Sequence, residues 1–165
     1  MVFLIIWITG IIIGIVTTLL NSKLRSIRDI CSNLLFYQLV VTCFLMNLIG
    51  FIGHVFYSDM VAESVGWAAG SPFQKEIGFA ELGFAVISFM CIWFYQKFRL
   101  AVIVSVSTTY ICCALNHIIE IISKGNYSPS NTLSIVWDLL IPLTWIVLYI
   151  MEYKFTEQQK TGNQQ

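Results

Sequence analysis

The stretch GWAAGSPFQKEIGFAELGF, residues 66–84, sets how this chain is threaded, because it carries Glu76 and Glu81 into an otherwise apolar run. Ser71, Pro72 and Gln74 read as a helix start: Ser as N-cap, Pro at the first helical position and Gln closing a capping box. Counting about 1.5 Å per residue from Ser71 puts Glu76 about 7 Å and Glu81 about 15 Å along the axis. The second carboxylate is therefore expected well below the headgroups of a bilayer. Just upstream, SDMVAESVGW (58–67) mixes Met60, Val61 and Val65 with acidic residues, the pattern of a short helix lying in the membrane interface with Trp67 as its anchor.

Composition supports a membrane setting. The 165 residues are 58% hydrophobic and 11% charged, with a mean hydropathy of +0.80, whereas soluble domains carry about twice that charged fraction. Nine basic and nine acidic residues cancel, so net charge points to no nucleic-acid partner and the lipid bilayer is the partner expected. The apolar segments are Val2–Leu20, Asn33–Tyr57, Pro72–Gln96, Leu100–Ile122 and Thr132–Ile150. Each suffices for the roughly 20 helical residues that cross a hydrocarbon core. Alternating strand patterns are absent, so the fold class read from sequence is all-α: a polytopic bundle of five transmembrane helices. Residues 1–152 form this single domain, with an interfacial segment at 58–70, and residues 153–165 form a polar tail expected to fray. No internal repeat is evident. The first segment lacks the basic start and small-residue cleavage pattern of a signal peptide and reads as a retained helix. Its Gly10 and Gly14 have the Gly-x-x-x-Gly spacing that permits close helix approach, within the chain or in a homo-oligomer.

Loop charges set an expected orientation. With five spans, Lys23, Arg25, Arg28, Lys97, Arg99, Lys154 and Lys160 share one side, and only Lys75 and Lys124 fall on the other. The positive-inside rule then puts the N-terminus outside and the C-terminus in the cytoplasm, in a multi-pass protein of the cytoplasmic (inner) membrane. Cys31, Cys43, Cys91, Cys112 and Cys113 fall within helices or at the cytoplasmic face, where packing is their expected role.

The remaining ionisable residues converge in depth. SPSNTLSIVWDLLIPL (128–143) starts a helix at Ser128-Pro129 or Ser130 and sets Asp138 about 12 to 15 Å in, at the depth of Glu81. Pro142, four residues on, removes the donor that the Asp138 carbonyl would meet. Asn47, Gly50 and His54 share one helix face; Thr109, Cys113, His117 and Glu120 share another. His54, Glu76, Glu81, His117, Glu120 and Asp138 thus arrive at similar depth, and ionisable groups within spans are by default a functional-site hypothesis. The leading reading is a polar cavity for a small cation, proton or polar ligand, in a transporter-like or sensor component. A membrane-embedded metalloenzyme or redox protein is the alternative, with a divalent metal held by His54, His117, Glu120 and Asp138. Its one His-x-x-Glu motif reverses the order used in di-iron bundles, and haem between two histidines sits poorly with acidic neighbours. The plainest reading is a scaffold whose polar groups pair only to hold the bundle in register. No nucleophile setting or phosphate loop supports an enzyme.

The blocks FIGH, GWAAGSPFQKEIGFAEL, LNHIIEI, GNYSPSN and WDLLIP resemble a family of small bacterial multi-pass membrane proteins classed as a domain of unknown function. The likeness runs from about Leu35 to Leu148 and implies the same five-helix arrangement, without an activity. In that family proline is frequent at the position of Ala68 and asparagine at that of Glu81, which implies that His54, Glu76, His117 and Asp138 outweigh Glu81 as site residues.

Overall fold

The structure, a computed structural model, describes residues 2–24 and 26–162, with side chains as far as Gln158. Arg25 and the side chain of Lys160, both counted in the charge asymmetry, lie outside the described residues, as do residues 163–165. All regular structure among the described residues is helical: α1 (Val2–Leu20), α2 (Ile27–Tyr37), α3 (Phe44–Phe56), α4 (Ser58–Val65), α5 (Phe73–Met90), α6 (Lys97–Lys124) and α7 (Pro129–Gly162). A π-helical turn, Gln38–Cys43, joins α2 to α3, making one long rod. Four helices are long and apolar enough to cross a membrane: α1, the rod Ile27–Phe56, α6, and α7 from Pro129 to Gln158. The α5 helix is shorter, and Lys75, Glu76 and Glu81 interrupt its apolar character.

Helix ends follow local chemistry, with three departures from the sequence reading. The second rod begins at Ile27 rather than Asn33, because the Ser26 side chain caps it by accepting from the Asp29 N–H at 3.1 Å. The α5 helix starts at Phe73 with Pro72, not Ser71, at the N-cap, and no side chain caps it. Gln74, assigned to a capping box, instead reaches across to His54. The tail is helical, not frayed, as far as Gly162. Arg28 Nε donates to Thr156 Oγ1 at 2.9 Å and docks this end of α7 on α2.

The core runs along the rod, α6 and α7, through Leu35, Leu39, Cys43, Met46, Val102, Val106, Ile141 and Trp145. Much of the outward surface is Ile, Val, Leu and Phe, as expected where the neighbour is lipid. Gly10 and Gly14 are buried. A β-carbon on Gly10 would strike Thr42 and Gln38, and one on Gly14 would strike Leu34, so the close approach serves packing of α1 on the rod. Gln38 Nε2 adds a bond to the Trp7 carbonyl at 3.1 Å.

Two antiparallel hairpins make up the rest: α3 with α5, and α6 with α7. Arg28–Thr156, Ser32–Tyr95 and Tyr95–Glu152 contacts gather the α1–α2 loop, the α5–α6 loop and the far part of α7 at one end of the bundle. The α5 helix therefore runs from the α4 end of the bundle toward the loop that holds Tyr95. Arg99 belongs to this end but is buried, 5% exposed, with its guanidinium 4.1 Å from the Tyr95 ring centre and 5.1 Å from that of Phe36.

Candidate functional site

At the opposite end, the C-terminal halves of α3 and α6 and the N-terminal halves of α5 and α7 enclose a chamber of about 650 Å³. Its polar groups come from both hairpins: His54, Gln74 and Glu81 from one, His117 and Asp138 from the other. The remaining wall is mostly apolar, with Phe3, Met46, Ile77, Phe84 and Trp137.

Each histidine is held in the same way. His54 Nδ1 meets Gln74 Oε1 at 2.5 Å, and its Nε2 faces Glu81 Oε2 at 4.0 Å. His117 Nδ1 meets Asn131 Oδ1 at 2.7 Å, and its Nε2 faces Asp138 Oδ2 at 4.0 Å. In the second set the tautomer is determined by the network. Asn131, 0% exposed, gives its amide N–H groups to the carbonyls of His117 at 3.2 Å and Asn126 at 3.0 Å. Its oxygen must therefore face the imidazole, and His117 Nδ1 must carry the hydrogen. In a neutral ring that leaves Nε2 as a bare lone pair. The ring Nε2 and a carboxyl oxygen of Asp138 then face one another at 4.0 Å, beyond direct hydrogen-bond reach. The His54 set repeats this geometry, and Glu81 Oε2 is buried without a hydrogen-bond partner.

Close packing supports the first set. A β-carbon on Gly50 would fall 2.5 Å from Glu81 Oε1, so only glycine leaves the carboxylate room against α3. Gly78 brings α5 equally close to Val55 and His54. Over the second set, the indole of Trp67 stacks on the His117 ring, 5.6 Å between centroids and 9° from parallel. Trp67 is thus a wall of the chamber. The α4 helix that delivers it ends at Gly66, whose φ of +81° is left-handed. Asn126 Nδ2 and Ser128 Oγ both donate to the Val65 carbonyl, at 2.9 and 2.8 Å, and tie this segment to the α6–α7 turn.

The six candidates from sequence therefore divide. His54, Glu81, His117 and Asp138 line the chamber. Glu76 is exposed and contributes nothing to the chamber wall. Glu120 pairs with Lys124 at 2.7 Å, not with His117, so the His-x-x-Glu spacing forms no pair. Glu81, the candidate discounted from the resemblance, sits deep in the site. Among the described residues no group of three or more His, Cys, Asp or Glu is arranged to hold a metal ion, and the set His54, His117, Glu120 and Asp138 is not brought together. Gln74 and Asn131 were missed, although each lies seven residues before its carboxylate and two after a proline.

Fold and site define an all-helical bundle, with helices long and apolar enough to cross a membrane and a polar chamber between two helical hairpins. The chain belongs to the family described as a family of unknown function, DUF6790, whose model matches residues 1–158. No curated protein matches the chain. Nor does any solved structure.

Proposed function

We propose that the chain is a five-span protein of the cytoplasmic membrane, N-terminus outside and C-terminus inside, whose chamber opens outward and binds a small organic cation. The observation that carries this reading is the pair of histidine–carboxyl confrontations in the chamber, each with Nε2 and a carboxyl oxygen 4.0 Å apart. An ammonium group supplies what both acceptors lack: a positive charge and several N–H donors on one atom. Such charge-assisted hydrogen bonds contribute about 1.5–3 kcal/mol each. The chamber becomes the recognition site of a transporter-like or sensor component.

The span count rests on α5. Its 18 residues rise about 27 Å, close to the roughly 30 Å hydrocarbon thickness. Lys75 and Glu76 lie in its first turns, at headgroup level, and Glu81 is turned into the chamber. Orientation rests on Lys23, Arg28, Lys97 and Lys154, which flank the end away from the histidines.

The test is thermal unfolding of the protein in mild detergent with propylammonium chloride, against sodium chloride at equal ionic strength. A shift with propylammonium that is lost in Glu81→Gln together with Asp138→Asn is expected. An equal response to both salts, or one unchanged in the double variant, overturns the reading.

A further inference from the structure

The two hairpins place a histidine, an amide, a carboxyl residue and a Ser-Pro helix start in the same register, while most of the other matched positions differ. On the first helix of each, the positions facing the chamber pair off as Met46 with Thr109, Ile49 with Cys112, Gly50 with Cys113, Gly53 with Asn116 and His54 with His117, always 63 residues apart. On the second helix, Phe73 pairs with Ser130, Gln74 with Asn131, Ile77 with Ser134, Ala80 with Trp137 and Glu81 with Asp138, always 57 apart. Ser71-Pro72 and Ser128-Pro129 start these helices at that same offset. Register match continues into the core, where Ala85 corresponds to Pro142 and Ser88 to Trp145, all buried. The offset changes because the first hairpin accommodates α4 in its connection and the second does not. Both hairpins run in the same direction, so the relation is that of a parallel repeat about an axis along the bundle.

Side-chain lengths change together within each half. One hairpin uses the longer pair, Gln74 and Glu81; the other uses the shorter pair, Asn131 and Asp138. Where the long acid lies, the facing position is Gly50; where the short acid lies, it is Cys113. Both halves nevertheless arrive at the same 4.0 Å separation. Two differently built sets thus converge on one geometry, each with a carboxyl group and a histidine Nε2 facing a common chamber that Ile77, Phe84 and Met46 also line.

We infer that the chamber is a two-ended site for an aliphatic diamine, one ammonium seated between His54 Nε2 and Glu81, the other between His117 Nε2 and Asp138, with the carbon chain against the apolar wall. The inference rests on the organic-cation reading above and adds valence and shape to it. A monoamine fills one half-site and leaves the second pair of acceptors facing each other. A diamine of matched length fills both, and the second charge-assisted contact is worth about a tenfold to hundredfold gain in affinity.

The experiment is calorimetric titration of the detergent-purified full chain with unbranched α,ω-diaminoalkanes from propane to octane, beside the n-alkylamines of the same lengths. One diamine per chain is expected, with a single optimum of length and about tenfold to hundredfold tighter binding than the matched monoamine. Glu81→Gln and Asp138→Asn should each bring the diamine down to monoamine affinity. Equal affinity in the two series, or affinity climbing steadily with carbon number in both, overturns the two-ended site, as does either variant leaving diamine binding unchanged. The comparison of the two series uses the unmodified chain and holds even where a variant fails to fold. Failure of the organic-cation reading itself looks different: neither series binds.

Discussion

Gly50 and Glu81 touch so closely that a β-carbon on Gly50 would lie 2.5 Å from one carboxylate oxygen and 2.6 Å from the other. The methyl group of Gly50→Ala must therefore push the Glu81 carboxylate off His54. We expect about tenfold weaker binding of the organic cation and a loss of roughly 1–3 kcal/mol of stability from overpacking. Cys113→Ala, at the matched position of the other half, should leave binding within about twofold. Calorimetry and thermal unfolding of the two variants side by side check this. Equal effects would show that the glycine is not there for the carboxylate.

Asn131 holds three partners at once: His117 Nδ1 and the carbonyls of His117 and Asn126. Removing it strands the buried His117 Nδ1, at about 1–3 kcal/mol, and takes away two further bonds, to the His117 and Asn126 carbonyls. Asn131→Ala should cost more than Gln74→Ala, which strands His54 Nδ1 alone. Unfolding by titration with a denaturing detergent ranks the two. A Gln74→Ala cost equal to or above that of Asn131→Ala would contradict the assigned network.

Gly66 combines a left-handed backbone with contact against Ser128 and Asn126. An alanine there meets about 1–2 kcal/mol of backbone strain and pushes on the turn that holds α4 down. Gly66→Ala should open the 58–70 segment, accelerating hydrogen exchange in α4 severalfold while α6 keeps its protection. Uniform protection across both segments would show that α4 is held by other contacts.

Arg99 is buried between Tyr95 and Phe36, and its guanidinium stacks on both rings. Lysine keeps the charge but cannot stack as a plane, so Arg99→Lys should lose about 1–2 kcal/mol of stability at the end of the bundle away from the chamber. Binding in the chamber should not change. Thermal unfolding alongside cation titration separates the two effects.

Depth was legible in the sequence; rotation about each helix was not. Ser71-Pro72 and Ser128-Pro129 marked where two helices start, and counting along the axis put Glu81 and Asp138 at one level with His54 and His117. Depth alone also admitted Glu76 and Glu120. A helix turns about 100° per residue, so Gln74 and Glu81, seven apart, share a face, whereas Glu76 points about 200° away from Gln74. Glu120 is claimed by Lys124 one turn on. The amides escaped notice because they carry no charge, yet they set which nitrogen of each histidine faces its carboxylate. Tail helicity was hidden for another reason: its support is the distant Arg28–Thr156 contact, 128 residues apart in the chain.

With only two histidines in the chain, the central geometry is open to one direct spectroscopic measurement. Nitrogen-15 NMR of protein labelled at histidine, in detergent at neutral pH, reports which ring nitrogen of each residue carries the hydrogen. The His117 ring is predicted to carry a hydrogen on Nδ1, fixed there by Asn131, and the Nε2 resonances of both rings are predicted to move when an alkylammonium salt is added. A His117 ring with its hydrogen on Nε2 and none on Nδ1, or Nε2 resonances that ignore the ammonium, would contradict the account.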